Sequence, residues 1–267
     1  MRRYVEFYLA SMRISILSQI QYQVANYFYM IGMITEPVIY LVVWTTIARQ
    51  QGGTAGGYTV GAFAAYYIIW TLVRNMNIVF TPYGWEWRIR EGRLSMELMR
   101  PIHPIHGDVA FFAGWKFVVI LLWLPLAAIL SWIFKPDFDI RWMEVIVFSL
   151  AIWGAYLIRT ILLSLLGMIT FWTTRVSAIF ELYFGLELIL SGRLVPMTIM
   201  PAWVQNLSNY LPFKWTFFFP IEALVGNMTD AQLWSGFGMQ VLWIVTGVVL
   251  LNLIWSSAIK QYSAVGG

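Results

Sequence analysis

The chain has 267 residues, of which 60% are hydrophobic and 11% charged, with a mean hydropathy of +0.70. A soluble domain carries about a quarter charged residues; here the deficit runs the length of the chain, which excludes a sizeable soluble domain and leaves a bilayer protein. The net charge of +4 is too small and too scattered for a nucleic-acid partner, and the absence of cysteine excludes disulfides, thiolate metal sites and cysteine nucleophiles.

The opening residues MRRYVEFYLASMRISILSQIQ lack the clean apolar core and small-residue cleavage site of a signal peptide. Val5, Tyr8, Leu9, Met12, Ile16 and Ile20 recur at helical spacing, with Arg2, Arg3, Glu6 and Arg13 largely elsewhere on the wheel. The pattern predicts an amphipathic helix over 1–21 at the membrane surface, or else a cytosolic extension of the first span. Apolar stretches then mark six transmembrane helices, at about 24–48, 58–80, 109–134, 142–172, 176–191 and 231–258, with edges good to several residues. The first is interrupted by Glu36-Pro37. QQGGTAGG (50–57), KPDFDIR (135–141) and TTR (173–175) read as turns, and 259–267 as a short tail.

Two connections are longer. Residues 84–108, GWEWRIREGRLSMELMRPIHPIHGD, are polar and basic. Residues 192–230 are aromatic-rich and broken by Pro196, Pro201, Pro212 and Pro220, too interrupted for one span and too apolar for a solvated loop. Short helices beginning near Pro201 and Pro212, dipping into the membrane against other helices, fit that composition.

Six spans put both termini on one side. With the amino terminus inside, the inner segments hold nine basic residues (Arg2, Arg3, Arg13, Arg88, Arg90, Arg93, Arg100, Arg175, Lys260) and the outer segments five (Arg49, Lys135, Arg141, Arg193, Lys214). That bias favours cytoplasmic termini.

The stretch IREGRLSMELMRPIHP (89–104) is similar to the cytoplasmic loop of ABC-2 type permeases, the membrane subunits of one class of ATP-driven exporters. Glu91-Gly92, Leu94, Leu98 and Pro101-Ile102 carry the likeness; Arg93 stands where the family often has threonine. Ser191-Gly192, Pro196, Pro201, Trp203 and Leu211-Pro212-Phe213 resemble the family's re-entrant outer hairpin. The resemblance covers the full chain, each motif being degenerate alone and the order and spacing making the case. It implies a single all-α integral membrane permease domain over 1–267, with an N-terminal interfacial helix (1–21), a cytoplasmic coupling loop (84–104) and an outward re-entrant hairpin (192–230) before the last span. It also implies a bacterial inner-membrane location, and the branch in which two permeases are encoded beside one ATPase.

No Gly-Lys dipeptide occurs, so the chain has no Walker phosphate loop and no catalytic machinery of its own for ATP. ATP and Mg belong in a partner ATPase subunit, and this chain is expected to hold no cofactor. In residues alone, 84–100 reads equally as a positive-inside loop that sets topology. The resemblance makes it the coupling element: Trp85, Ile89, Leu94 and Leu98 would anchor it, and Glu86, Arg88, Arg90, Arg93 and the Glu91-Gly92 pair would meet the ATPase. His103, His106 and Asp108 have ligand chemistry, but Pro104 separates the histidines and a third anchored ligand is not evident, so no metal site is expected. Asp108 is expected to cap the third span, with the histidines at headgroup level.

Glu36, Arg74, Lys116, Arg159, Glu181 and Glu187 fall inside predicted spans. Each costs about 2.5–3.5 kcal/mol at a helix centre on insertion scales, so each should face protein or water. Arg74, Lys116 and Glu181 are near enough to the inner edge to snorkel. Glu36, Arg159 and Glu187 are deeper, and either pair structurally or line a substrate path. The 18% of aromatic residues fits interfacial belts as well as an aromatic-lined path. The resulting expectation is an exporter permease working with a second permease, identical or sister, the path lying between their first, second and fifth spans among membrane lipids. A lipid-modifying membrane enzyme, or a channel or ion-coupled carrier, are the rival readings; the first lacks convergent polar groups and the second lacks similarity between chain halves.

Overall fold

The computed structural model describes residues 2–173, 176–226 and 228–262. Arg175 of the predicted inner turn, Asn227 of the hairpin and the tail beyond Tyr262 lie outside the described residues. Two helices lead, α1 (Arg2–Gln21) and α2 (Gln23–Gln50, running through Pro37), separated by Tyr22 alone. The glycine-rich stretch at 50–57 reads as a turn, and the chain does turn there. It holds a two-stranded antiparallel hairpin, β1 (Thr54–Ala55) and β2 (Tyr58–Thr59), whose Gly56-Gly57 link has positive φ at both positions, the conformation a two-residue hairpin requires.

Next come α3 (Val60–Met76), α4 (Thr81–Arg90), α5 (Leu94–Leu98), α6 (Ile105–Phe134) and α7 (Trp142–Met168), the last prolonged by a 3-10 turn to Phe171. After α8 (Ser177–Leu190) the chain breaks into short pieces, α9 (Ala202–Asn209), α10 (Phe213–Thr216) and α11 (Phe218–Val225), before α12 (Asp230–Gln261). Helices thus begin at Pro201 and Pro212, where the prolines predicted them. Among the described residues, four helical stretches are long and apolar enough to cross a membrane: Ile31–Gln50, Ile105–Phe134, Trp142–Phe171 and Asp230–Gln261. The protein is therefore a multi-pass membrane protein. At 17 and 14 residues, α3 and α8 fall short of the roughly 20 needed to span alone.

Contacts sort the connections to two ends of the bundle. At one, Thr59 Oγ1 donates to Asp137 Oδ2 (3.0 Å) and the Asp137 amide to the Gly61 carbonyl (3.1 Å). At the same end Arg141 caps α7 with Glu144 and reaches Asp230 (3.0 Å) at the start of α12. The opposite end joins α1 to α6 through Tyr8 Oη and His106 Nδ1 (2.7 Å), and α5 to the end of α12 through Ser95 and Tyr262 (2.9 Å).

The helix α3 is the centre of the fold. Phe63 through Val73 are all buried, enclosed by α2, α6, α7 and α11. Its ring edges fix the segment after α8: Tyr66 donates to the Gly192 carbonyl, Trp70 to Arg193 and Tyr67 to Leu194. That segment then meets the chain just before and just past α3. Ile199 lies against Gly56, Asn77 Nδ2 donates to the Thr216 carbonyl (2.7 Å), and Tyr58 Oη donates to Glu222 (2.7 Å).

Helix α1 lies along α6. A Cβ at Gly114 would come within 2.5 Å of the Met12 carbonyl oxygen, so only glycine admits this approach, and Ser15 is buried beside it. The predicted apolar stripe divides: Tyr8, Met12 and Ile16 are partly buried, while Val5, Leu9 and Ile20 stay exposed for lipid.

Candidate functional site

Two assemblies of polar groups are candidates. The first is the α4–α5 hairpin. Proline in the first turn of α4 suits a helix start, and Gly92 (φ +68°) turns the chain into α5. Trp85, Ile89 and Leu94 are buried, packing with Met168 and Leu251, and the Trp85 ring meets Trp255 edge-on. Leu98, the fourth expected anchor, remains exposed. Arg88 is taken inward: it reaches Glu97 at 2.9 Å and Asp108 at 2.7 Å, with Trp85 beneath its guanidinium.

Asp108 is consequently not the cap of α6. That helix starts at Ile105, a turn earlier than predicted, without a side-chain cap, and its first-turn carboxylate is held by Arg88. Burial pushes the Glu97 carboxyl above its usual range while Arg88 pulls against it. Arg90, Glu91 and Arg93 stay at the exposed edge, Arg90 beside Glu86 (2.9 Å) and Arg93 over Trp87.

The histidines do not converge. His103 lies against Trp255, its ring pushed down to about 4 by burial, with His106 adding to the shift, whereas His106 faces Tyr8. Among the described residues no group of three metal-ligating side chains comes together.

The second assembly is inside the bundle. Arg159 of α7 and Glu187 of α8 form a bidentate pair at 2.7 and 2.8 Å, with side chains 8% and 1% exposed. The same guanidinium donates to the Asn77 carbonyl just past α3. Lys116 does not snorkel as the sequence predicted. It is fully buried, donating to the carbonyls of Asn75 (3.3 Å) and Ile78. The reason is local: where α3 ends, its last carbonyls lack helical partners, and two cations supply them.

Glu36 does not join Arg159 and Glu187. It sits between Arg74 of α3 (2.7 Å) and Arg193 after α8 (3.3 Å), and Tyr40 donates to it weakly at 3.4 Å. These three side chains are 27%, 23% and 24% exposed, and Phe217 stands between Arg193 and Arg159. Arg74 is therefore paired rather than snorkelling, while Glu181 is exposed. Sequence reasoning counted Arg193 as a loop charge; the Ser-Gly break that ends α8 was the one signal that it turns back on the bundle.

No curated protein matches the chain. A match to the family described as ABC-2 family transporter protein extends over residues 13–266. With nearly the whole length matched and the apolar helices in place, this chain is a membrane permease of the ABC-2 transporter family.

Proposed function

We propose that the chain is one of two permeases of an ATP-driven exporter in a bacterial inner membrane, with the ATPase docked under α4–α5. The observation that carries this reading is the hairpin's two-sidedness. Its apolar side is clamped to α7 and α12, so a push on it reaches the bundle, and its charged edge of Arg90, Glu91 and Arg93 is exposed. Replacing Glu91 by Arg should dissociate or uncouple a co-purified ATPase while leaving the permease inserted and folded. Normal assembly and transport in that variant would refute the docking site.

In this reading α3 and α8 complete six spans, shortened because each meets the 192–230 segment within the bundle. Contacts at the β-hairpin, then past the far end of α3, then at the β-hairpin again support a re-entrant course entered and left at that end, and the basic-residue bias supports cytoplasmic termini. Single cysteines at Thr198 and Lys260 should then react with an impermeant thiol reagent from opposite sides; labelling of both from one side would rule the topology out.

Burial of α3 removes it from any path between subunits, leaving α2 and α8. Both carry exposed apolar rows, Ile31 and Ile39 on one, Leu182 and Leu186 on the other. Glu36, Arg74 and Arg193 are too open to face hydrocarbon, which supports a wet interface with a second permease there.

A further inference from the structure

Two guanidiniums share one carboxylate at Glu36, leaving the cluster one positive charge in excess. Its geometry is loose: the second contact is 3.3 Å, and Arg193 Nε is buried without a hydrogen bond. Glu187, on the far side of Phe217, is committed to Arg159 through both oxygens. Guanidinium forks are made for bidentate oxyanions, and here two converge with donor capacity unused.

The walls are aromatic as well as basic. Arg74 lies over Trp70 and Arg193 beside Phe217, with Tyr40 across the carboxylate. The same two helices, α2 and α8, also expose apolar side chains, Ile31 and Ile39 on one and Leu182 and Leu186 on the other.

We propose that Arg74 and Arg193 form a binding site for the anionic head of an amphiphilic cargo, a phosphate or a carboxylate, and that Glu36 occupies this site when cargo is absent. This rests on the permease reading for the word cargo, but the site itself does not depend on transport. Glu36 then acts as an internal competitor that the incoming head displaces, and removing its charge frees both arginines. A merely structural triad predicts the reverse, since losing Glu36 would loosen the arginines and weaken any ligand.

The test is binding to the intact chain in phosphatidylcholine nanodiscs, read by Trp fluorescence and by native mass spectrometry. Added phosphatidic acid should bind, and a cationic amphiphile of equal chain length should not. Glu36→Gln should tighten phosphatidic acid by about tenfold and Arg193→Gln should weaken it by at least about tenfold, the scale of one charge-assisted contact. Arg193→Lys, which keeps charge but loses the fork, should lie between and guards against a folding defect. Displacement of the lipid by inorganic phosphate would identify a free anion as the ligand, and its retention an amphiphile; either supports the site. Equal binding of the anionic and cationic amphiphiles, or weaker binding in Glu36→Gln, would overturn it. Because binding is read without ATPase or transport, failure here is distinct from failure of the exporter reading.

Discussion

Arg159–Glu187 and Glu36–Arg74–Arg193 lie in one bundle, a phenylalanine ring apart, yet they are built on opposite rules. The first is balanced in charge, bidentate, sealed from solvent and tied to the end of α3. The second is unbalanced, longer in its contacts and a quarter exposed. A sealed pair gains nothing by moving and loses much by breaking, whereas an open triad can exchange partners at small cost. Ionisable residues inside a membrane thus divide by geometry, and not by depth, into those that hold the bundle and those free to work.

The largest effect should come from breaking the sealed pair. Arg159→Gln strands Glu187 and leaves the Asn77 carbonyl unpaired, and loss of one partner from a buried pair costs about 3–5 kcal/mol. The variant should fail to accumulate as a monodisperse protein on size-exclusion chromatography. Adding Glu187→Gln removes the stranded charge and should recover part of the loss, and a double mutant no better than the single would show that the pair is not the unit.

Glu36→Gln tests the other side of the comparison. Pairs this exposed contribute about 0–1 kcal/mol, so thermal unfolding should shift only slightly while transport by the assembled complex changes. A destabilisation matching that of Arg159→Gln would merge the two sites into one structural network.

The smallest effect extends the rule to the end that bears the termini, where His103 is held neutral against Trp255. Its folded value of about 4 lies below its ordinary 6.5, so between those values the unfolded chain binds more protons than the folded one. Stability should therefore fall as pH drops from about 6.5 through about 4. His103→Gln should flatten that part of the profile, and an identical slope in wild type and variant would exclude the histidine as its source.

Spans and breaks were legible because they are local. Apolar runs placed helices at the six predicted positions, four of them long and apolar enough to cross a membrane, and Pro201 and Pro212 placed the helices of the broken segment. Partners were not legible, because nothing in one sequence links Glu36 to a residue 157 positions away, or Arg88 to Asp108. Lys116 was misplaced for a related reason. Depth along a hydropathy profile suggested an escape to the interface, while the receptor for its charge was the open end of a different helix. The 84–100 segment was half legible: Trp85, Ile89 and Leu94 are buried and Leu98 is not, while Arg88, on the polar side of that pattern, folds inward to acids the pattern does not mark.

Helix α6 is gripped near one end from two sides, by Tyr8 and Met12 of α1 at His106 and Gly114, and by Arg88 of α4 at Asp108. Beyond Gly114, Lys116 ties it to the end of α3 and Trp123 Nε1 donates to the Ile68 carbonyl (3.2 Å). From Gly114 to its end the helix still runs for about 30 Å. A tilt of about 5° about the grip would move the far tip by about 2.6 Å, close to the length of a hydrogen bond. That tip carries Lys135 and the 135–141 turn, where Asp137 latches the β-hairpin. Were the α4–α5 hairpin displaced by a docked ATPase, as proposed, the latch at the opposite end of the bundle would feel it through this one helix.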